Sequence, residues 1–265
     1  MSDDHGYPDV KISDRTPEYS CLGIWGPNAR TTLQAVVDEP DALTNENFPF
    51  AAVRTIRINE INVAAFRISY VGEQGWELHF DYDDGLAVWD ALAEKGVTPI
   101  GVETYANSRR LEKSLRLQNA DLLTEYNLYE ADLARPKIKA AEFHGKDHYV
   151  AQRAREHQPA YLCTMTMQEH TDANGIARYP VGTCPIMDKT SGEVLIDSEG
   201  RRSYTTSIVF GPTIGKNIAL GYLPYDYCKE GQELMIEYFG ERYSVIVESV
   251  GYKPLYDPAN EKPRS

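Results

Sequence analysis

A change of periodicity near residue 150 does most to restrict the fold. Beyond the polar connector AQRAREHQPA, the helical spacing of apolar residues nearly disappears. In its place come YLCTMTM, YPVGTCPIM, GEVLI, SYTTSIVF, NIALGYL, ELMIEYF and RYSVIVESV, short β-rich segments separated by Gly, Pro or Asp. Regularly spaced short strands build a small antiparallel barrel or sandwich, and F-G-E-R at 239–242 is expected to form a tight hairpin turn. Upstream the pattern is mixed. VRTIRI (53–58), NVAAFRISY (62–70) and WELHFD (76–81) read as strands, and the apolar spacing of GIWGPNARTTLQAVV suits a helix starting near Asn28. A further helix follows Asp83 and Asp84, with Leu86, Val88, Trp89 and Leu92 on one stripe and Gly96 as its stop. Another is expected from Thr104 to about Leu115. This order describes an α+β layer and excludes a doubly wound parallel sheet. The expected organisation is an arm (1–17), an α+β domain (18–150) and a C-terminal antiparallel β-barrel (151–265).

At 265 residues the chain can bury a sizeable core. No apolar run reaches the roughly 18–20 residues of a membrane span, and the acidic N-terminus MSDDHGYPDVKISD resembles neither a secretory signal nor a transit peptide. A cytoplasmic location with no membrane partner is therefore expected. With 40 acidic against 27 basic residues, a net charge of −13, nucleic acid is excluded as a partner. Cys21, Cys163, Cys184 and Cys228 form no C-x-x-C pair, and His144 and His148 lack the acidic partner of an H-E-x-x-H pattern. No metal centre is expected on these spacings. There is no G-x-S-x-G elbow, Walker A motif or G-x-G-x-x-G fingerprint, so a redox cofactor would have to lie on another chain.

Two stretches carry candidate chemistry. In SYVGEQGWELHF (69–80), Glu73 and Glu77 flank a glycine turn close to Tyr70. Read as structure, this is a hairpin whose glutamates face water. Read as a site, a carboxylate fixed by the turn accepts paired N–H donors, such as those of a pterin or guanine-like ring. In ANSRRLEKSLRLQNADL (106–122), helical spacing puts Arg109, Lys113 and Arg116 on one face, with Arg110 about 100° away. That face is either a solvated basic surface paired with Glu112, or it lets Arg110 grip a carboxylate bidentately. Many of the 18 tyrosines crowd the C-terminal segments, where aromatics favour strands and one or two could stack on a planar ligand.

These segments resemble, in order, those of the folate-binding aminomethyltransferases, the family that includes the glycine-cleavage T-protein. SYVGEQGWELHF is similar to the family's Y-[TV]-G-E-x-G-[WF]-E signature, and YSCLGIWGPNAR (19–30) to its ALGLAGPKAR-type helix start. NSRRLEKSLRLQNADL resembles D-S-L-R-L-E-K-G-Y-R-x-W-G-x-D-L, EYNLYEADL (125–133) resembles E-Y-T-P-L-E-A-G-L, and EFHGKD (142–147) resembles D-F-I-G-K-D. TTSIVFGPTIGKNIALGYL (205–223) is similar to V-T-S-x-x-Y-G-x-x-x-G-K-x-I-A-L-G-Y-V, and PLYDPANEKPR resembles the ending of the folate domains of dimethylglycine and sarcosine dehydrogenases. The likeness runs over residues 18–263. The departures are Ser114, Asn119 and Asp132 at family glycines, Gln118 at a tryptophan and Arg109 at a leucine.

The resemblance implies a ferredoxin-like α+β domain, a second α+β lobe and a C-terminal Greek-key barrel around tetrahydrofolate. Glu73 would bind the pterin, Tyr70 and Glu77 would line the same pocket, Arg110 would meet the glutamate tail and Tyr256 would close the pocket from the barrel. The implied activity is capture of a one-carbon unit from an N-methyl amine of the dimethylglycine or sarcosine type, as 5,10-methylene-tetrahydrofolate. The family's catalytic aspartate comes from a segment upstream of the ALGLAGP-like helix and has no counterpart here. Either a second subunit carries that segment, together with FAD to oxidise the small methylated substrate, or the chain is a fragment of a longer protein, or it does not catalyse. Two alternatives are a demethylase yielding 5-methyl-tetrahydrofolate and a folate-binding or assembly subunit without chemistry of its own.

Overall fold

The computed structural model describes residues 11–265. Of the expected arm, residues 1–10 lie outside the described residues; Lys11–Arg15 have no regular structure, and Thr16–Glu18 form one 3₁₀ turn. The chain divides into two compact units. The first takes in the described residues through Ser69, Glu73–Pro99 and Asn260–Ser265; the second takes in Tyr70–Gly72 and Ile100–Ala259.

The first unit is an antiparallel four-stranded sheet with two helices. Its elements are β1 (Tyr19–Trp25), α1 (Ala29–Gln34), β2 (Val53–Ile58), β3 (Ile61–Phe66), β4 (Gly75–Asp81) and α2 (Gly85–Ala93), with strand order β1-β4-β3-β2. Alternation along β4 sends Trp76, Leu78 and Phe80 into the core, where Val63 and Ala65 of β3, Leu33 of α1, and Val88 and Leu92 of α2 also lie. Glu77 and His79 occupy the opposite face of the same strand. The strand expected over 62–70 ends at Phe66. The stripe expected on α2 also differs: Val88, Ala91 and Leu92 are buried, while Leu86 is 78% and Trp89 43% exposed. Leu86 lies about 160° around the helix from Val88, so the two cannot share the buried face.

The second unit starts with a π-helical turn, Glu103–Arg109, that runs into α3 (Arg110–Glu112), followed by α4 (Lys146–Arg153). A six-stranded antiparallel sheet follows: β5 (Ala160–Met167), β6 (Ile186–Asp188), β7 (Thr205–Gly211), β8 (Lys216–Pro224), β9 (Glu233–Tyr238) and β10 (Glu241–Val250), in the order β6-β9-β10-β5-β8-β7. Tyr238 pairs with Glu241 across a two-residue loop, and Phe239 (φ 51°) and Gly240 (φ 78°) both take the left-handed backbone that such a hairpin turn needs. The expected α-helix from Thr104 to Leu115 is instead wound as a π-turn and stops at Glu112. Its end is set two residues on, where Ser114 turns to φ 53°. The α+β class and the C-terminal antiparallel β architecture agree with the sequence expectation.

Buried tyrosines give the second unit an alkaline limit. Tyr126 stacks on Tyr222 with centroids 3.6 Å apart, and burial raises both hydroxyls above the ordinary phenol range. Burial and the bond to Glu125 push Tyr204 up to about 12. These folded pKa values exceed the unfolded one, so their stabilisation is complete below about pH 10 and is lost as pH rises through the folded values. Urea unfolding at increasing alkaline pH should show a midpoint that falls from about pH 10 upward.

Candidate functional site

The RRLEKSLR segment (109–116) is buried, not a solvated basic face. Arg110 is 1% exposed, and its guanidinium donates to Ala106 O (2.7 Å), Leu115 O (3.0 Å), Asp121 Oδ2 (2.5 Å) and Ser207 Oγ (2.6 Å). Asp121 also accepts the Leu117 N–H at 2.9 Å and the hydroxyls of Thr206 and Ser207. Glu112 is fully buried and accepts from Arg109 (2.5 Å) and from the backbone N–H of Thr213 (2.6 Å). Lys113 reaches Asp257 O at 2.8 Å. Desolvating these charges is costly, and the mutual pairing is what permits it.

Arg116 differs from its neighbours. Its side chain is 4% exposed, 4.0 Å from the Asp132 carboxylate and over the Tyr252 ring at 5.3 Å. Its Nε and one terminal nitrogen, Nη2, have no hydrogen-bond partner among the described residues. Burial lowers its pKa, and Asp132 partly opposes this. Two buried guanidinium nitrogens without acceptors are the donor set that a carboxylate satisfies. Residue spacing alone singled out Arg110 here, because it could not tell which cation would find its acceptors inside the fold.

The chain from 251 to 257 is strapped onto this segment. Ser114 Oγ donates to Lys253 O (3.2 Å), Tyr256 N to Glu112 O (2.9 Å) and Tyr252 N to Asp132 Oδ2 (2.7 Å). The half-buried Tyr256 lies under the Arg109 guanidinium at 4.9 Å. Tyr70 donates its hydroxyl to Arg116 O (2.8 Å), with its ring 5.4 Å from Tyr105. Gly72, at φ 76°, leaves room for the Lys113 stem, which a Cβ there would meet at 2.4 Å. Tyr70, Arg110 and Tyr256 thus converge on one buried segment of the second unit. Three positions where the resemblance expects glycine, Ser114 (φ 53°), Asn119 (φ 65°) and Asp132 (φ 52°), all keep the left-handed conformation glycine would supply.

Glu73 and Glu77 belong to the first unit. Glu73, 15% exposed at its side chain, donates its backbone N–H to Ser69 Oγ (3.1 Å) and has Lys262 Nζ 3.9 Å from its carboxylate. Glu77 faces away from the core, 3.6 Å from His79 Nε2.

The fold and the buried polar segment define a two-unit α+β and β-barrel protein of the aminomethyltransferase type. Residues 1–136 match the GCVT N-terminal domain, and residues 182–257 match the glycine cleavage T-protein C-terminal barrel domain. The chain belongs to this folate-binding aminomethyltransferase family. It is 31% identical over 249 residues to mitochondrial dimethylglycine dehydrogenase of Homo sapiens, covering 91% of this chain and 26% of that protein. To mitochondrial sarcosine dehydrogenase of Mus musculus it is 30% identical over 266 residues, covering 95% and 26%. The chain therefore spans about a quarter of these relatives' length. The crystal structure of glycine cleavage system aminomethyltransferase T from Bartonella henselae shares the fold, with a TM-score of 0.60, 17% identity, and coverage of 91% of this chain and 84% of that one. No helix among the described residues is long and apolar enough to cross a membrane.

Two substitutions separate the fully paired cation from the one with unmet donors. Asp121→Ala strands Arg110 in the interior and should cost about 3–5 kcal/mol in urea unfolding. Arg116→Met removes a cation with unused donors and should change stability by less than about 1.5 kcal/mol.

Proposed function

We propose that this chain binds tetrahydrofolate and helps transfer a one-carbon unit to it from an N-methyl amine of the dimethylglycine or sarcosine type, forming 5,10-methylene-tetrahydrofolate. The observation that carries this reading is the match over nine-tenths of the chain to two relatives named as dehydrogenases of those amines. Their names accord with a partner flavoprotein, bearing FAD, that oxidises the amine. Bound tetrahydrofolate would supply the nucleophilic nitrogen that takes up the one-carbon unit. The chain's own part is to hold and orient that ligand, which lowers the barrier through positioning.

In this reading the Glu73 carboxylate accepts N–H donors of the pterin. Tyr70 and Tyr256 are aromatic contacts. Arg110 acts through the segment it anchors, because a ligand carboxylate would have to displace Asp121 to reach it. Arg116, with buried donors unused, is the better receiver for a carboxylate. The orphaned guanidinium nitrogens fit the chemistry of a glutamate tail. The cytoplasmic location is part of this proposal, whereas both relatives are named as mitochondrial.

Calorimetric titration of the purified chain with tetrahydrofolate tests the reading. Binding in the micromolar range is expected, and Glu73→Gln should weaken it by about 1.5–3 kcal/mol, roughly 10- to 150-fold. No heat of binding at high micromolar ligand, or an unchanged affinity in Glu73→Gln, would defeat the proposal.

A further inference from the structure

The outer face of the first unit's sheet brings together three side chains that share no local spacing. In the β1–β4 pairing, Cys21 stands directly opposite His79, and Gly23 opposite Glu77. Glu77 and His79 are two residues apart on β4 and so point the same way, while Trp76, Leu78 and Phe80 fill the core behind them. Gly23 contributes no side chain in front of Glu77. The thiol, imidazole and carboxylate donor atoms all lie within 4.8 Å of one another. Cys21 Sγ is 3.6 Å from His79 Nε2, and Glu77 Oε2 is 3.6 Å from the same nitrogen.

The Glu77–His79 separation suits a shared ion better than a direct hydrogen bond, while Cys21 Sγ and His79 Nε2 at 3.6 Å also fit a sulfur hydrogen bond in the metal-free chain. At 3.6 Å the Glu77–His79 contact is longer than an N–H···O bond, which runs to about 3.2 Å. Bond lengths of about 2.0–2.3 Å from zinc to N, O and S place two ligands of a tetrahedron about 3.3–3.6 Å apart. The imidazole is steadied edge-on against Phe66 at a centroid distance of 4.8 Å. The His79 and Glu77 side chains keep 34% and 23% of their exposure, so an ion can enter from solvent.

We propose that Cys21, Glu77 and His79 form a binding site for zinc or a similar divalent transition metal. A mixed thiolate, imidazole and carboxylate set suits such ions and excludes calcium and magnesium. Three protein ligands leave the fourth tetrahedral position to water or to a small anionic ligand. Coordination forms the metal–sulfur bond as the Cys21 thiol releases its proton to solvent, so affinity rises with pH. Without metal, burial and the Glu77 charge keep the thiol protonated. Glu77 then belongs to this site and not to the pterin contacts, which makes the two readings separable.

Titration of the reduced, metal-free chain with Co²⁺ tests the site. A single Co²⁺ should bind with the intense visible bands of a tetrahedral ion and a thiolate charge-transfer band, and Zn²⁺ should displace it. Cys21→Ser should abolish the charge-transfer band, and His79→Gln should weaken Co²⁺ by at least about 10-fold, the loss seen when even a supporting group is removed. Circular dichroism should be unchanged in both variants, and Cys184→Ser should behave as the parent. Absence of tetrahedral bands, or a charge-transfer band that survives in Cys21→Ser, overturns the proposal. Tetrahydrofolate affinity of Cys21→Ser, measured separately, reports on the folate reading alone.

Discussion

The Arg110–Asp121 pair is the constraint on which the second unit depends. Both side chains are essentially removed from water, at 1% and 0% exposure. Neither could be buried alone, since an unpaired charge inside a protein costs several kcal/mol. Their partners fix the segment in space: Ala106 and Leu115 on either side of Arg110, and Thr206 and Ser207 at the start of β7. Around that anchor Glu112 takes the backbone of Thr213, and Lys113 and Ser114 take the chain at 253–257. A sequence segment as charged as RRLEKSLR becomes interior because every charge but Arg116 finds well-formed partners there.

Arg116 is therefore informative through what it lacks. Natural proteins rarely bury a guanidinium with unmet donors, because each unmet group costs free energy. Where one persists, a ligand that completes the set is a physical reason for keeping it. Arg110 and Arg116, in one motif, differ in that the first finds acceptors throughout the fold while two nitrogens of the second find none.

Much of this was legible locally. Alternation in WELHFD placed Trp76, Leu78 and Phe80 together, and the strands at 53–58 and 76–81 required only that periodicity. F-G-E-R announced its hairpin because a two-residue turn is decided by the residues in it. The stripe expected on α2 differs from the buried one for a specific reason: Leu86 and Trp89 are apolar, but composition does not say which side of a helix the core covers. In place of the α-helix expected at 104–115, Glu103–Arg109 winds as a π-turn, and Arg110 directly after it is held by Asp121 across the fold. Ser114, Asn119 and Asp132 looked like departures at the level of letters, yet each holds the same left-handed turn.

By itself the sequence determined the strand periods, the turns, the acidic balance and the family, since all of these reside in residues close together or in ordered motifs. Only the tertiary structure decided which charges are paired and which side chains meet. Arg110 and Asp121 are separated by 11 positions, Arg110 and Ser207 by 97, and Cys21 and His79 by 58. Contacts at such separations are selected by burial and strand register together. Burial makes an unpaired charge intolerable, and register places a thiol opposite an imidazole whatever lies between them in the chain.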